Sequence, residues 1–347
     1  MIPYGMQSIN DDDIDSVIKV LKSDFLTQGT QVPKFEKALS AYCDVKHVTA
    51  VNSATSALHI SCLALNLGEG DYLWTSPISF VASANCALYC GAKVDFVDID
   101  PKTYNMDPVK LKIKLDIAKA NNKLPKIVVP VHFAGQSCDM KAIYNLSKEY
   151  GFRVIEDASH AIGGKYLSFP VGSCKYSDIT VFSFHPVKII TTGEGGAALT
   201  NNPELATKLS LLRSHGVSRD NNSMSKESDG PWYYEQLILG YNYRMTDIHA
   251  ALGLSQLKRL DSFVLARHQL ANQYDKLLKD IAGVSVPTQN KDCYSSFHLY
   301  PIKLSKDIDR SKVFEYMRNN LVGVNVHYIP IHKQPFYKSI DTYLNLE

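Results

Sequence analysis

The chain has 347 residues, of which 45% are hydrophobic, so it is long and apolar enough to bury a large core. This length predicts two domains, or one large domain with an appendage. The 37 basic and 35 acidic residues give a net charge of +2, which creates no bias towards polyanions and argues against nucleic acid as a partner.

The seven cysteines are odd in number and scattered, which is typical of reduced thiols in the cytoplasm rather than of disulfides. Only Cys86 and Cys90 lie close together, and no histidine accompanies them at ligand spacing, so we predict no metal site. The N-terminus lacks the basic and apolar regions of a signal peptide, and no apolar run reaches the ~18 residues that would span a membrane. We therefore expect a soluble, cytoplasmic protein without a membrane partner.

The N-terminal sequence predicts an extended stretch, followed by two helices, one strand and the start of a further helix. Apolar residues after Asp11 follow the i, i+3, i+4, i+7 spacing of an amphipathic helix: Ile14, Val17, Ile18 and Leu21. The next predicted elements are a turn, a helix, a strand and the start of a helix, at residues 24–29, 32–43, 46–51 and 52–57.

Beyond residue 70, strands and helices alternate. Strands are predicted at residues 72–75, 93–97, 126–131, 153–155 and 178–184. Helices are predicted between them, at residues 80–90, 108–120 and 140–150. Continuous apolar strands between helices of this length indicate an α/β fold with a mostly parallel sheet that is covered on both faces.

The remainder of the chain predicts a second, smaller unit. Residues 218–230 are polar and rich in helix breakers, so we predict a mobile loop there, and residues 246–274 predict one long helix. Short strands and helices follow. We therefore divide the chain into a large α/β domain over residues 1–245 and a smaller C-terminal α+β domain over residues 246–347. Glycine-rich dinucleotide and P-loop motifs are absent from the sequence, which argues against those two functions.

The stretch from Val181 to Gly196 carries the first candidate for catalysis. An apolar strand gives way to Lys188 and then to a turn with three glycines. A lysine just past a buried strand is partly desolvated, which favours the neutral amine and makes it a nucleophile towards an aldehyde. The alternative is an ordinary lysine on a surface loop.

Two further sites follow predicted strands. Ser53, Ala54 and Thr55 open a helix, and their backbone N–H groups and hydroxyls at its positive end suit a phosphate; the alternative is a simple N-cap. Asp157 lies at the carboxyl end of a parallel strand, where open α/β sheets bind ligands. A buried carboxylate there needs a cation, unless it only caps the next helix.

These stretches resemble the DegT/DnrJ/EryC1/StrS family of sugar aminotransferases, which use pyridoxal 5'-phosphate (PLP). The family pattern around the cofactor lysine matches residues 183–196, and the pattern E-D-x-x-H-A matches residues 156–161. The resemblance implies the fold-type I aminotransferase architecture. It also implies that Lys188 binds the cofactor, that Asp157 pairs with its pyridinium nitrogen and that His160 lies beside it.

The resemblance extends the cofactor site to other segments. It implies that Ser53, Ala54 and Thr55 bind the phosphate together with Ser183, and that Phe80 stacks on the cofactor ring. It further implies that Asn242 crosses a homodimer interface to the phosphate of the other subunit. A monomer would then have incomplete sites. Chains of the family usually continue for a further helical stretch beyond the point that matches residues 342–347, so we expect a truncated or incomplete end.

The predicted substrate-binding residues are also implied by the resemblance. Matching segments of the family approach the nucleotide sugar, and here they contain Tyr4, Asp24, Phe25, Leu26, Thr27, His327, Tyr328, Ile329 and Pro330, with His332 at the end of the last segment. Residues 75–82 and 324–332 are most similar to the transaminases of pseudaminic acid biosynthesis. That subgroup acts on UDP-2-acetamido-2,6-dideoxy-β-L-arabino-hex-4-ulose, with glutamate as the amino donor.

We therefore predict PLP-dependent transamination of a nucleotide-linked 4-keto-6-deoxy sugar. Alternatives are an aminotransferase for another UDP- or dTDP-4-keto-6-deoxyhexose, a PLP-dependent sugar dehydratase, or a non-catalytic relative. Dehydratases of the family replace the lysine by histidine, and Lys188 argues against that alternative. Retention of Lys188, Asp157 and the phosphate motif together argues against a non-catalytic relative.

Overall fold

The computed structural model describes residues 1–221, 223–226 and 228–340. Eleven α-helices are found in these residues, and they are listed in chain order: α1 Asp11–Leu21, α2 Gln31–Cys43, α3 Ala54–Ala64, α4 Ala82–Tyr89, α5 Pro108–Ala120, α6 Met140–Tyr150, α7 Pro203–Arg213, α8 Asp247–Leu257, α9 Leu260–Leu278, α10 Arg310–Asn319 and α11 Pro335–Ser339. Short 3-10 turns cover Phe133–Gly135 and Ile331–Lys333.

The same residues contain fourteen strands, several of them only two residues long. They are β1 His47–Val51, β2 Tyr72–Thr75, β3 Lys93–Phe96, β4 Ile127–Val129, β5 Arg153–Asp157, β6 Lys165–Tyr166, β7 Phe169–Pro170, β8 Ile179–Ser183, β9 Gly196–Thr200, β10 Val217–Ser218, β11 Glu235–Gln236, β12 Val284–Ser285, β13 Cys293–Tyr294 and β14 Lys303–Leu304.

Seven of these strands form the central sheet, in the order β1-β9-β8-β5-β4-β2-β3. The five strands from β8 to β3 run parallel, whereas β9 is antiparallel to both β8 and β1. The predicted α/β fold with a mostly parallel sheet is therefore confirmed. Because β5 and β8 are adjacent and parallel, their carboxyl ends meet at one edge of the sheet.

Both faces of the sheet are covered. Successive residues of β8 point to opposite faces, and all five are buried: Val181 packs in the hydrophobic cluster that includes α3 and α4, and Phe182 packs with α2 on the other face. This burial explains why the strands contain continuous apolar runs instead of the alternating pattern of a half-exposed sheet.

Most predicted elements agree with the structure within a few residues. One prediction was wrong, because the single helix expected over residues 246–274 is broken between α8 and α9 at Lys258 and Arg259. The sequence has no glycine or proline there to signal the break. The Arg259 guanidinium donates hydrogen bonds to the Ser8 carbonyl and to the buried Asp13 carboxylate, so tertiary contacts hold the junction.

The C-terminal part contains the short two-stranded sheet of β12 and β14, while β13 pairs with β6 from the preceding half of the chain. The division at residue 245 stays a prediction. The helix start and the incomplete end predicted for residues 342–347 lie outside the described residues. None of the helices in the described residues is long and apolar enough to cross a membrane.

A buried aspartate connects two helices near the sheet. Asp247, at the first position of α8, is 1% exposed, and its carboxylate accepts hydrogen bonds from the Gly29 N–H at 2.5 Å and the Val32 N–H at 2.9 Å. The N-cap residue of α2, Thr30, makes no side-chain capping bond. Asp247 therefore caps α2 from a distant part of the sequence.

We expect Asp247→Ala to destabilise the protein by about 2 kcal/mol, because it leaves two N–H groups at the start of α2 without their acceptor. The measurement is chemical denaturation at a fixed protein concentration. The matched control is Asp280→Ala, since Asp280 is exposed and its side chain makes no hydrogen bond within the described part of the chain. Equal stability of the two variants would contradict the capping role.

Candidate active site

The carboxyl ends of β5 and β8 bring the candidate catalytic residues together. Asp157 is the last residue of β5 and lies opposite Val181 of β8, two residues before that strand ends at Ser183. Lys188 follows five residues later, in the turn between β8 and β9. The turn is held by backbone bonds from Lys188 N–H to the His185 carbonyl and from Thr192 N–H to the Phe184 carbonyl.

Lys188 is partly buried, and its amine is less basic than an ordinary lysine. Desolvation lowers its pKa to about 8, while the negative charge of Asp157 opposes that shift. At neutral pH about a tenth of the amine is then uncharged, compared with less than a thousandth for a solvated lysine. The fold thus supplies a nucleophilic amine next to a carboxylate.

Asp157 is 4% exposed and accepts three hydrogen bonds. The Ser83 and Ser159 hydroxyls each donate to its carboxylate at 2.6 Å, and the Ser159 N–H donates at 3.2 Å. No ion pair to this carboxylate is found within the described residues. A buried carboxylate with hydroxyl donors but no cationic partner fits the protonated ring nitrogen of PLP.

Two histidines lie beside these residues. His160 and His298 are buried with ring centroids 4.4 Å apart, and the Tyr328 hydroxyl lies 3.2 Å from His160 Nε2. Burial lowers the pKa of both histidines well below the usual value, and the charge of Lys188 adds to the effect. Both rings are therefore neutral, and the Nδ1 atom of each has no hydrogen-bond partner in the described structure.

The start of α3 faces the start of β9. Ser53 is the N-cap, and its hydroxyl accepts a hydrogen bond from the Ser56 N–H at 3.1 Å, as the simpler alternative predicts. The N–H groups of Ala54 and Thr55 begin the helix, where intrahelical acceptors are lacking. A Cβ on Gly196 would lie 2.5 Å from the Ala54 nitrogen, so only glycine permits this approach. The arrangement suits a phosphate.

Two other predicted cofactor residues have contrasting environments. Ser183 is buried at the end of β8, and its hydroxyl lies 3.5 Å from the His185 nitrogen. Phe80 precedes α4 and is 62% exposed in the single chain. Its stacking on the cofactor stays a prediction.

The N-terminal residues pack against the C-terminal part of the chain, on the side where the substrate residues are predicted. The Tyr4 hydroxyl lies 2.7 Å from His327 Nε2, and the two rings stack with centroids 5.3 Å apart. Backbone bonds join Ile2 to Leu321 and Gly323. Desolvation and the charge of Lys188 both lower the pKa of His327, which places this histidine within electrostatic reach of the lysine.

The other predicted substrate residues are less enclosed. Asp24, Phe25, Leu26 and Thr27 are exposed in the turn after α1, which is held to α8 by a bond from the Asp247 N–H to the Leu26 carbonyl. Ile329 is 62% exposed, and Pro330 precedes the 3-10 turn that contains His332. No described contact joins these residues to Lys188, so their roles stay predictions.

Asn242 lies on a segment that runs beside the phosphate motif. Its backbone bridges to Ser214, and the next residue, Tyr243, accepts a hydrogen bond from the Asn52 N–H at 2.9 Å. The Asn242 side chain is exposed in the single chain. It is available to a second copy, and its role at a shared site stays a prediction.

Sequence analysis missed three residues of this site. Ser83 lies just beyond the motif of residues 75–82, Ser159 lies inside the motif of Asp157, and His298 is more than a hundred residues away in sequence. The four-residue spacing of Ser79, just before α4, and Ser83, in its first turn, was a usable signal. Nothing in the sequence pairs His298 with His160.

Within the described residues, no group of three or more histidine, cysteine or acidic side chains could hold a metal ion.

Comparison with known proteins agrees with this geometry. The model of the DegT/DnrJ/EryC1/StrS aminotransferase family matches residues 7–347. The chain belongs to this family. A Campylobacter jejuni protein named UDP-4-amino-4,6-dideoxy-N-acetyl-β-L-altrosamine transaminase is 43% identical over 342 residues, which cover 98% of this chain and 87% of that protein.

Solved structures of the family give the same fold. PseC of Helicobacter pylori, described as an aminotransferase of pseudoaminic acid biosynthesis, superposes with a TM-score of 0.89 at 33% identity, covering 100% of this chain and 90% of that one. The PLP form of a putative sugar aminotransferase of Streptococcus pneumoniae gives 0.86 at 27% identity, covering 98% and 88%. This chain is accordingly a PLP-dependent sugar aminotransferase with the fold-type I architecture.

Proposed function

We propose that this aminotransferase aminates UDP-2-acetamido-2,6-dideoxy-β-L-arabino-hex-4-ulose, with glutamate as the amino donor, in pseudaminic acid biosynthesis. The observation that carries the proposal is the desolvated Lys188 beside the buried Asp157, in a chain 43% identical to a UDP-amino-sugar transaminase. The similarity to PseC, an aminotransferase of pseudoaminic acid biosynthesis, supports the same pathway.

We assign the cofactor to the pocket between these elements. Lys188 Nζ would hold it covalently, Asp157 would hold the proton on its ring nitrogen, and the start of α3 with Ser53, Ala54 and Thr55 would hold its phosphate. When bound, PLP supplies an aldehyde that accepts an amine and a protonated ring that withdraws electrons from the reacting carbon.

Lys188 also provides the base. With a pKa of about 8, its Nζ is neutral in a useful fraction at neutral pH and accepts a proton from the carbon of the amino donor. It would pass this proton to the cofactor, and in the second half-reaction it would take a proton back from the cofactor and deliver it to the sugar carbon. A single group thus acts as base and as acid, because its pKa lies near the working pH.

Neutral rings and hydroxyls complete the pocket around the lysine. His160 and His298 stay uncharged because of burial. They therefore add no positive charge that would lower the pKa of Lys188. The Tyr328 hydroxyl contacts His160 at 3.2 Å and can orient it. We assign the sugar to the side closed by Tyr4 and His327.

Lys188→Arg tests this function. The guanidinium keeps the positive charge but stays protonated and is no nucleophile, so we expect amination of the UDP-4-keto sugar to fall at least about a thousandfold, to background. Product formation is followed by mass spectrometry with glutamate as the donor, in parallel with dTDP- and other UDP-4-keto-6-deoxyhexoses. The control is Lys119→Arg, since Lys119 is exposed on α5.

Normal turnover by Lys188→Arg would refute the assignment of the lysine. Preference of the parent protein for a dTDP-linked sugar would instead refute the substrate while leaving the aminotransferase intact. Loss of an oxygen from the sugar without gain of an amine would favour a dehydratase.

We further propose that two copies of the chain share each active site, because the exposed Asn242 lies beside the phosphate motif on the strand-like segment that contacts Asn52. A subunit with Lys188→Ala has a dead site but can still contribute Asn242. A subunit with Asn242→Asp keeps its lysine but places a carboxylate against the phosphate of its neighbour, a repulsive contact that weakens cofactor binding.

Mixing these two inactive variants is expected to restore about a quarter of the parental activity, because half of the dimers are hybrids with one intact site each. Activity is measured after subunit exchange has been verified with differently tagged chains. A mixture that exchanges subunits yet stays inactive would show that Asn242 acts within its own subunit.

A further inference from the structure

A second buried carboxylate lies next to Asp157 in β5. Glu156 is 6% exposed and points to the opposite face of the sheet from Asp157, since the two are consecutive residues of a strand. Three side chains donate to it: His132 Nε2 at 2.7 Å, the Ser177 hydroxyl at 2.5 Å and the Thr180 hydroxyl at 3.0 Å. The function proposed above gives this residue no role.

The hydrogen bonds fix the charge of the pair that Glu156 forms with His132. The Cys138 N–H donates to His132 Nδ1 at 3.2 Å, so that nitrogen carries a lone pair and the proton of the ring lies on Nε2. A doubly protonated imidazole would place two donors against each other at this point. His132 is therefore neutral, and it donates its Nε2–H to Glu156.

Glu156 is consequently a carboxylate without a cationic partner. Burial alone would raise its pKa, but the hydrogen bond and electrostatic interaction with His132, together with the hydrogen bonds from Ser177 and Thr180, outweigh burial, and the pKa lies below the usual value. All three partners act as donors, which an ionised carboxylate requires. The end of β5 therefore holds two buried negative charges, one on each face of the sheet.

Among the described residues, no lysine or arginine forms an ion pair with Glu156, and the histidine that contacts it is the neutral His132. The nearby thiols are Cys174 and Cys138; burial and the negative charge of Glu156 raise the pKa of Cys174 to about 12, and burial raises that of Cys138 further. On the other face, the groups near Asp157 are Lys188, which is mostly protonated at neutral pH, and the histidines 160, 298 and 327, whose pKa values are lowered.

The same network also positions Asp157. The His132 N–H donates to the Asp157 carbonyl at 3.0 Å, and the Asp157 N–H donates to the Pro130 carbonyl at 3.0 Å. His132 thus contacts both Glu156, through its ring, and Asp157, through its backbone. The extension of β4 beyond Val129 is in this way joined to the end of β5.

We propose that Glu156 is a positioning residue whose buried negative charge, together with that of Asp157, stabilises the protonated form of the bound cofactor. The inference rests on the function proposed above, in which PLP lies against Asp157. In the protein interior the electrostatic interaction between two unit charges several ångströms apart is much stronger than in water. Glu156 therefore raises the pH at which the cofactor and its lysine attachment lose their protons.

The test is Glu156→Gln, which removes the charge but preserves the shape. The carboxamide oxygen can accept from His132, and its NH2 group can donate to the hydroxyl oxygens of Ser177 and Thr180, which rotate freely. We expect the pH midpoint of the visible absorbance change of the bound cofactor to fall by about one pH unit. The dissociation constant for PLP, measured by fluorescence, should rise severalfold.

Two controls separate charge from structure. Glu149→Gln makes the same substitution at an exposed position of α6 and should leave the midpoint unchanged. His132→Gln retains a donor for Glu156 but loses the acceptor for the Cys138 N–H, so it perturbs the network while the negative charge remains. A midpoint near that of the parent in His132→Gln, with a lowered midpoint in Glu156→Gln, supports the role of charge.

An unchanged midpoint in folded, PLP-loaded Glu156→Gln would overturn the proposal, as would equal shifts in Glu156→Gln and His132→Gln. The failure of the underlying function is recognised separately. If the pH-dependent band persists in Lys188→Arg, the lysine assignment is wrong. If the band requires Lys188 but ignores Glu156, only the present inference fails.

Discussion

The site depends on one constraint, which is that two adjacent parallel strands end at the same edge of a sheet covered on both faces. The end of β5 places Asp157 in a buried position, and the turn after β8 brings Lys188 close enough for an electrostatic interaction with its carboxylate. Burial penalises the charged form of the lysine and lowers its pKa, although the carboxylate opposes the shift. The chemistry of an amine that is both nucleophile and base follows from that balance.

Much of the fold could be predicted because the strands are buried on both faces. A run such as residues 179–183 is apolar throughout, and only a covered sheet needs that pattern. The break between α8 and α9 was not predictable, since it depends on Arg259 meeting Asp13 some 246 residues earlier in the chain. Local sequence carries no record of such a contact. The cap that Asp247 provides for α2 is distant in sequence for the same reason.

The candidate site was predictable where its residues share short motifs. Lys188, Asp157 and His160 each lie within a few residues of recognisable neighbours, whereas Ser83 and His298 reach the site through the packing of separate elements. Electrostatic properties are harder still to predict from sequence. The neutral state of His132 and the lone charge of Glu156 follow from a single backbone N–H at Cys138, which only the folded structure reveals.

In the cofactor-free protein, burial makes the amine of Lys188 a weaker base than an ordinary lysine, so that part of it is neutral near physiological pH. The most direct test is the pH dependence of Lys188 labelling by an amine-directed reagent in the cofactor-free protein, measured on the peptide that contains it by mass spectrometry. Because burial favours the neutral amine, labelling should rise with pH around a midpoint near 8 and level off above it. A midpoint near the ordinary lysine value of 10.5 would contradict the account.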